Sequence, residues 1–390
     1  VGNLTPLDFT MKSFTLSHIP EIIFGAGKLS DLAAKAEALG GKTAHVLMVA
    51  DPALKALGIT GRALDILVKA GFETTVYDGL KGEPKQEDID AAAAMAREAK
   101  SKVVVGLGGG SALDTAKLVA ACAVSGLSAA AYALCATPLP ANRLPIIAIP
   151  TTAGTGSEVT RVSVFADAHK VKVWAWGEEL KPDAAILDPE LTVGVPPHIT
   201  AATGLDALVH AIEACTNKHR HDGNDLYCHK AISLISANLE KAVKNPNDIE
   251  ARGAMLLGSC YGGIGIDNCG TALAHNISHA VADQAPIPHG RATGLAMLAT
   301  MDWVAEGNSA AFAKVAEAMG ADDAVKAYER LVRATGIKVS LEGDGLDLGN
   351  PKLLAEHMAS PANNPMRKST ARYPNDDELV MLAERFLKLA

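Results

Sequence analysis

Asp206 and His210 stand four residues apart in a stretch of helical composition, so both side chains leave one helix face a turn apart. His275 and His279 repeat the spacing. His289 follows in the loop Pro286-Ile287-Pro288-His289-Gly290, where prolines stiffen the chain and the glycine permits a close approach. A carboxylate with two or three imidazoles is a site for a divalent first-row metal, and a mixed nitrogen and oxygen set with an open position suits Fe2+ or Zn2+. Thiolates are missing from the set, which argues against a structural zinc site. A histidine alone is more often a satisfied polar residue than a ligand, so the two i,i+4 pairs and the loop carry this reading together. The other histidines lack such partners, although His219-Arg220-His221 has the makings of a surface metal trap.

A second group of residues suits a dinucleotide. Val103-Val104-Val105 runs into Gly106-Leu107-Gly108-Gly109-Gly110-Ser111, and Ala112 to Ala121 follows with helix-forming residues. A glycine turn between strand and helix lets backbone N–H groups approach a pyrophosphate, and the helix N-terminus adds its partial positive charge. Ser111 and Asp114 fit a capping box. The strict G-x-G-x-x-G spacing is absent, so a plain structural turn remains the competing reading of this segment alone. Asp51 ends the first strand, where a carboxylate accepts hydrogen bonds from an adenosine ribose and so favours NAD over its 2′-phosphorylated form. Pro150 to Thr160 is another strand-to-loop junction, dense in hydroxyls and glycines, that suits the same crevice.

The elements needed to position these groups follow from the hydrophobic pattern. Strand-like runs at Ala44–Ala50, Glu73–Tyr77, Val103–Val105 and Ile146–Ile149 alternate with helical ones such as Ile89–Ala99, which predicts βαβ units and a parallel sheet. Beyond Asp188-Pro189 the pattern turns to long helical stretches: Thr200–Cys215, Asp225–Val243 and Glu250–Tyr261. Pro196-Pro197 makes a natural stop before the first of them. The expected architecture is an α/β dinucleotide-binding domain over residues 11–190 and an all-helical metal-binding and substrate domain over 191–390. Residues 1–10, which precede Met11, are left out of the fold argument.

Composition narrows the partners. The 390 residues are 48% hydrophobic and 21% charged, enough for a large core, and 36 Lys and Arg against 44 Asp and Glu give a formal charge of −8. That balance excludes nucleic acid and anionic membrane, which need a dense basic footprint. Leu118 to Asn142 carries no charge, but Pro138 and Pro140 break it, so a buried helix and a loop are expected rather than a membrane span. Six cysteines without a CxxC pair, in a chain this long, indicate a reducing cytoplasm.

Taken together, the chain resembles the iron-dependent (group III) alcohol dehydrogenase family over nearly its whole length. The matching blocks are Phe24 to Gly27, Gly108 to Lys117, Pro150 to Thr160, Gly204 to Glu213, and His275-x3-His279-x9-His289-Gly290. The resemblance implies a metal held by Asp206, His210, His275 and His289. It makes His279 the non-ligand histidine beside the nicotinamide, passing the released proton toward solvent or serving only to orient and pack. It places NAD on Asp51, Gly109, Gly110, Ser111, Asp114, Thr151, Thr152, Thr155 and Thr160, with Lys172 in a stretch that aligns poorly. It implies reversible hydride transfer between a small alcohol or diol and its aldehyde or ketone, and a homo-oligomer, dimeric or larger.

Departures from the family fall around the substrate. Ile266-Asp267-Asn268-Cys269 occupies a segment where some members carry a bulky aromatic, and the C-terminal Asn-Pro-Arg motif reads Asn364-Pro365-Met366-Arg367-Lys368. A dehydrogenase for glycerol or an acidic hydroxy-substrate is therefore an alternative, with the cluster from Met366 to Arg372 as an anion grip or simply a solvated charge run. A dehydroquinate-synthase-like lyase needs several cations for a phosphate-bearing substrate, and only Arg291, Arg367 and Lys368 lie near the metal motifs. A structural protein without activity finds no support, since every expected ligand is present.

Overall fold

The structure, a computed structural model, describes residues 13–389. The first ten residues, set aside above, lie outside the described residues.

Six strands form one parallel sheet in the order β1-β8-β5-β4-β2-β3: β1 (Glu21–Phe24), β2 (His45–Ala50), β3 (Glu73–Tyr77), β4 (Val103–Gly108), β5 (Ile146–Pro150) and β8 (Ala184–Leu187). Strand side chains alternate between faces, and here both faces are covered, as a parallel sheet requires. Leu47, Val49 and Val104 pack with α4 (Gln86–Glu98) and α5 (Gly110–Ser125). Val46, Met48, Val103 and Val105 pack on the other face with α1 (Leu32–Gly40), α2 (Ala53–Ala56) and α3 (Ile59–Lys69). Each fully buried Val, Leu or Ile contributes about 1.5–3 kcal/mol, which outweighs the cost of glycine in β4.

That glycine content has a steric cause. Gly106 and Gly108 lie inside β4, not in a turn: a Cβ on Gly106 would come within 2.9 Å of Ala116 Cβ, and one on Gly108 within 2.9 Å of Asp51 Cβ. The expected strand therefore runs three residues further than its valines.

Two strands form a separate antiparallel hairpin, β6 (Val162–Ala166) with β7 (Lys172–Trp176). Neither they, nor β1, nor β8 are visible in the hydrophobic pattern, being short or spaced by charged residues. The charge-free Leu118–Asn142 stretch is the buried second half of α5 followed by a 3-10 turn at Ala129–Cys135. Among the described residues no single helix is long and apolar enough to cross a membrane.

The second half is helical: α6 (Pro197–Thr216), α7 (Asp222–Lys244), α8 (Ile249–Cys269), α9 (Leu273–Ala282), α10 (His289–Glu306), and five shorter helices between Ser309 and Leu387. Pro197 opens α6 at its first position, as the Pro196-Pro197 pair predicts. Helix α8 continues two turns past Tyr261, because Gly262, Gly263 and Gly265 are sites of close contact rather than breaks. A Cβ on Gly263 would come within 2.6 Å of Gly156 O, and one on Gly262 within 3.0 Å of Ala207 O. The Gly156–Gly263 approach joins the hydroxyl-rich loop directly to the helical half. All six cysteines are free, five of them buried and Cys135 exposed.

Candidate active site

The sheet reverses its winding between β2 and β4, since β3 lies on one side of β2 and β4 on the other. Ligands of open α/β sheets bind in the crevice beyond the strand carboxyl ends at such a switch point. The structure brings the predicted nucleotide residues there. Asp51 N donates to Leu107 O at 2.9 Å and Thr151 N donates to Gly108 O at 2.9 Å, so the ends of β2, β4 and β5 lie side by side. Thr152 stands over Gly109 and Thr155 over Gly110, where a Cβ would meet their side chains at 3.4 and 2.7 Å respectively. Helix α5 starts at Gly110 with Gly109 as its cap residue and no side-chain cap, leaving its first N–H groups for an anion.

One expectation is corrected here, and two alternatives fall away. Ser111 and Asp114 form no capping box, because α5 begins before Ser111. Asp114 instead accepts from Val164 N at 2.9 Å and from the Ser157 hydroxyl, and lies 3.5 Å from the ammonium of Lys117. Thr160 is buried, its hydroxyl accepting from Lys117 Nζ at 3.0 Å. Asp114 and Thr160 thus brace the loops around the crevice. The anion grip is also absent: Arg367 donates to Pro374 O and pairs with Asp376, while Arg372 pairs with Glu306 and stacks on Trp303. Arg291 is likewise taken, by Lys338 O, Ser340 O and Asp344. The surface metal trap dissolves too, since His221 accepts from Asn224 N to cap α7 and Arg220 pairs with Asp225.

The metal candidates converge. Asp206 Oδ1 lies 4.0 Å from His210 Nε2, 3.7 Å from His275 Nε2 and 3.6 Å from His289 Nε2. Helix α6 supplies the first pair, α9 supplies His275, and His289 opens α10 behind the stiff Pro286–Pro288 loop. The His210 and His275 rings stack at 4.6 Å, and His279 stands edge-on to His289 at 5.5 Å. Asp206, His210 and His275 are buried, whereas His279 and His289 are partly exposed, so the cluster opens on their side.

The donor set fits a divalent cation. Asp206 Oδ1 and His275 Nε2 are buried without any hydrogen-bond partner, although they lie 3.7 Å apart and, with a ring nitrogen of His210, are close enough together to share one ion. Buried polar atoms are almost always satisfied, so orphans turned toward a common point mark an ion position. His210 Nδ1 faces Gly154 O at 3.3 Å, and His275 Nδ1 faces Glu213 Oε2 at 2.6 Å; each contact places the proton on Nδ1 and leaves Nε2 bare. Burial lowers His210 to about 4 and His279 to about 3, and pushes His275 and His289 well below the ordinary imidazole value. The charge of the Lys172 ammonium, which pairs with Glu83 at 2.8 Å, adds to the depression of His279 and His289. All four rings are therefore neutral. Burial, with the charge of Glu213, raises Asp206 to about 8, the cost of a carboxylate without its countercharge.

Glu213 is the residue that sequence reasoning missed. It was visible only as the seventh residue after Asp206 on the same helix face; its partner His275 lies 62 positions away.

Comparisons with known proteins give the chain a family. The family described as "Iron-containing alcohol dehydrogenase" matches residues 20–189, and "Fe-containing alcohol dehydrogenase family, C-terminal" matches 200–385. A long-chain-alcohol dehydrogenase of Geobacillus thermodenitrificans is 38% identical over 344 residues, 85% of each chain. The 1,3-propanediol dehydrogenase of Klebsiella pneumoniae is 32% identical over 382 residues, 93% of this chain and 96% of its own. Among solved structures, sulfoacetaldehyde reductase from Bifidobacterium kashiwanohense in complex with NAD+ superposes with a TM-score of 0.89 at 30% identity, covering 97% of this chain and 99% of that one. With both halves of the family matched in order along the sequence, the chain belongs to the iron-containing alcohol dehydrogenase family and is an oxidoreductase.

Proposed function

We propose that the protein is an NAD-linked, iron-type alcohol dehydrogenase that interconverts a small alcohol or diol and its aldehyde or ketone. The observation that carries this reading is the convergence of three imidazole rings on one unpartnered carboxylate oxygen, with His275 Nε2 equally unpartnered, open on the side of His279. Fe2+, with Zn2+ as the other candidate, would be held by Asp206, His210, His275 and His289. NAD would lie along Asp51, Gly109, Gly110, Ser111, Thr151, Thr152 and Thr155, with Asp114 and Thr160 acting through the loops they brace and Lys172 closing the nicotinamide end. When bound, the metal lowers the pKa of a substrate hydroxyl and the nicotinamide accepts hydride.

The chain's own residues do the rest. Asp51 orients the adenosine end by accepting from ribose hydroxyls, and the uncapped start of α5 receives the pyrophosphate. His279, uncharged, presents a ring nitrogen at the reacting end, where it accepts a proton only in passing. Helix α6 and the hydroxyl-rich loop exclude water from the buried side of the cluster, which strengthens each polar contact there. The two units are taken as residues 11–190 for the nucleotide and 191–390 for metal and substrate. Six unpaired cysteines favour a cytoplasmic setting, and the family likeness favours a homo-oligomer. The occupied arginines count against phosphate-bearing and acidic substrates.

The test is NADH formation by protein stripped of metal and reconstituted with Fe2+ or Zn2+, across short alcohols, diols and hydroxy acids. Turnover that needs the metal and selects one class of alcohol supports the reading; nucleotide and metal binding without turnover of any of them overturns it.

A further inference from the structure

Glu213 is fully buried on α6, two turns beyond Asp206, and no role in the reaction as described so far falls to it. Its Oε2 accepts from His275 Nδ1 at 2.6 Å and from Ala272 N at 2.7 Å, and its Oε1 accepts from Ala274 N at 2.6 Å. Ala272 is the cap residue of α9 and has no side chain to cap with. One carboxylate from a neighbouring helix therefore satisfies the free N–H groups at the start of α9 and places negative charge where the helix dipole favours it. The same carboxylate holds the proton of His275 on Nδ1, so that Nε2 faces Asp206 Oδ1 at 3.7 Å with nothing else to bind. His210 has only the neutral Gly154 carbonyl behind it, at 3.3 Å.

We propose that Glu213 is a positioning residue for the metal: it fixes the tautomer and orientation of His275 and ties that ligand to the helix bearing Asp206 and His210. The proposal rests on the reading of Asp206, His210, His275 and His289 as the ligand set. Two carboxylates, Asp206 directly and Glu213 through His275, then balance a divalent cation among neutral imidazoles. An acceptor of this kind behind a ligating histidine raises its basicity, and its loss typically weakens metal binding about 10–100-fold.

The experiment uses the full chain stripped of metal and titrated with Co2+, whose visible d–d absorption reports ligand geometry. E213Q keeps the volume but brings an amide N–H2 against the donors. Its expected Co2+ affinity is about 10–100-fold below that of the unsubstituted protein, with a shifted d–d band. In an H275A background the same substitution should change Co2+ affinity far less, because the imidazole through which Glu213 acts is gone. Should E213Q fail to fold, E213D carries the measurement: it keeps the charge but is one methylene short, and an intermediate affinity with an altered band is expected. An unchanged affinity and spectrum in the folded variant overturns the proposal. So does an equal loss of affinity with and without His275, which is the signature of a helix cap and nothing more. If the unsubstituted protein takes up no Co2+, the ligand set itself is wrong and the proposal falls with it.

Discussion

Asp51 and Gly108 meet at the carboxyl ends of adjacent strands so closely that a side chain on Gly108 would place its Cβ 2.9 Å from that of Asp51. The strand that carries the glycines is thereby pressed against the residue proposed to address the ribose.

Asp51→Ala should weaken NAD binding about ten- to a hundredfold, the range for a hydrogen bond to a charged acceptor, and raise the ratio of NADP to NAD affinity. Fluorescence titration with both nucleotides measures this, and metal content should be unchanged.

Asp206→Asn should abolish metal retention and turnover while leaving NAD affinity intact. Burial makes the uncompensated carboxylate costly, so the metal-free variant is expected to unfold no more readily than metal-free wild type. Elemental analysis and thermal unfolding in chelator decide it; a metal-free variant much less stable than its parent would mean that Asp206 has a packing role instead.

Gly263→Ala inserts a methyl group within 2.6 Å of Gly156 O and 2.8 Å of Gly156 Cα. Neither partner is a flexible side chain, so a loss of about 1–3 kcal/mol in urea unfolding is expected. Because Gly156 belongs to the hydroxyl-rich loop, NAD affinity should fall as well. Alanine at Gly27, which has nothing within 4 Å of its would-be Cβ but a left-handed backbone, should affect stability alone.

Glu158 lies buried beside Lys117, with Oε1 unpaired, and burial raises its carboxyl from 4.5 to about 7. A raised folded value means that the protonated form suits the fold: the contribution is fully present below the unfolded value and is lost as pH rises toward about 7. Unfolding free energies at about pH 5 and about pH 8 should therefore differ less in Glu158→Gln than in the parent, by on the order of 3 kcal/mol. Equal differences in the two proteins would show that Glu158 does not titrate in this range.

The candidate metal cluster was legible because two helices each carry a pair at a spacing of four, Asp206 with His210 and His275 with the non-ligand His279, and the Pro-His-Gly loop is stiff enough to read alone. The contact partners were not. Arg367 and Arg372 look like free cations in sequence, yet Pro374 O and Trp303 O, which accept from them, are backbone groups that no residue pattern announces. Ser111 and Asp114 match a capping pattern, but a helix that can start on glycine starts earlier, and Asp114 is drawn across to Val164 by tertiary packing. Strand β8, four residues long, is too short for periodicity to register; only its place between β1 and β5 reveals it. Glycines in α8 read as an end and proved to be contacts, because their neighbours lie elsewhere in the chain.

Asp206 Oδ1 and the three imidazoles around it come from three helices and span positions 206 to 289. No single helix or helical hairpin can present all of them, so strong chelation is a property of the completed helical assembly alone. An ion that binds there selects against partly assembled chains and stabilises the finished one in proportion to the logarithm of its concentration over the dissociation constant. Metal supply would thereby bear on the chain's resistance to unfolding as well as on its activity, a metal-free molecule being folded but with a smaller margin.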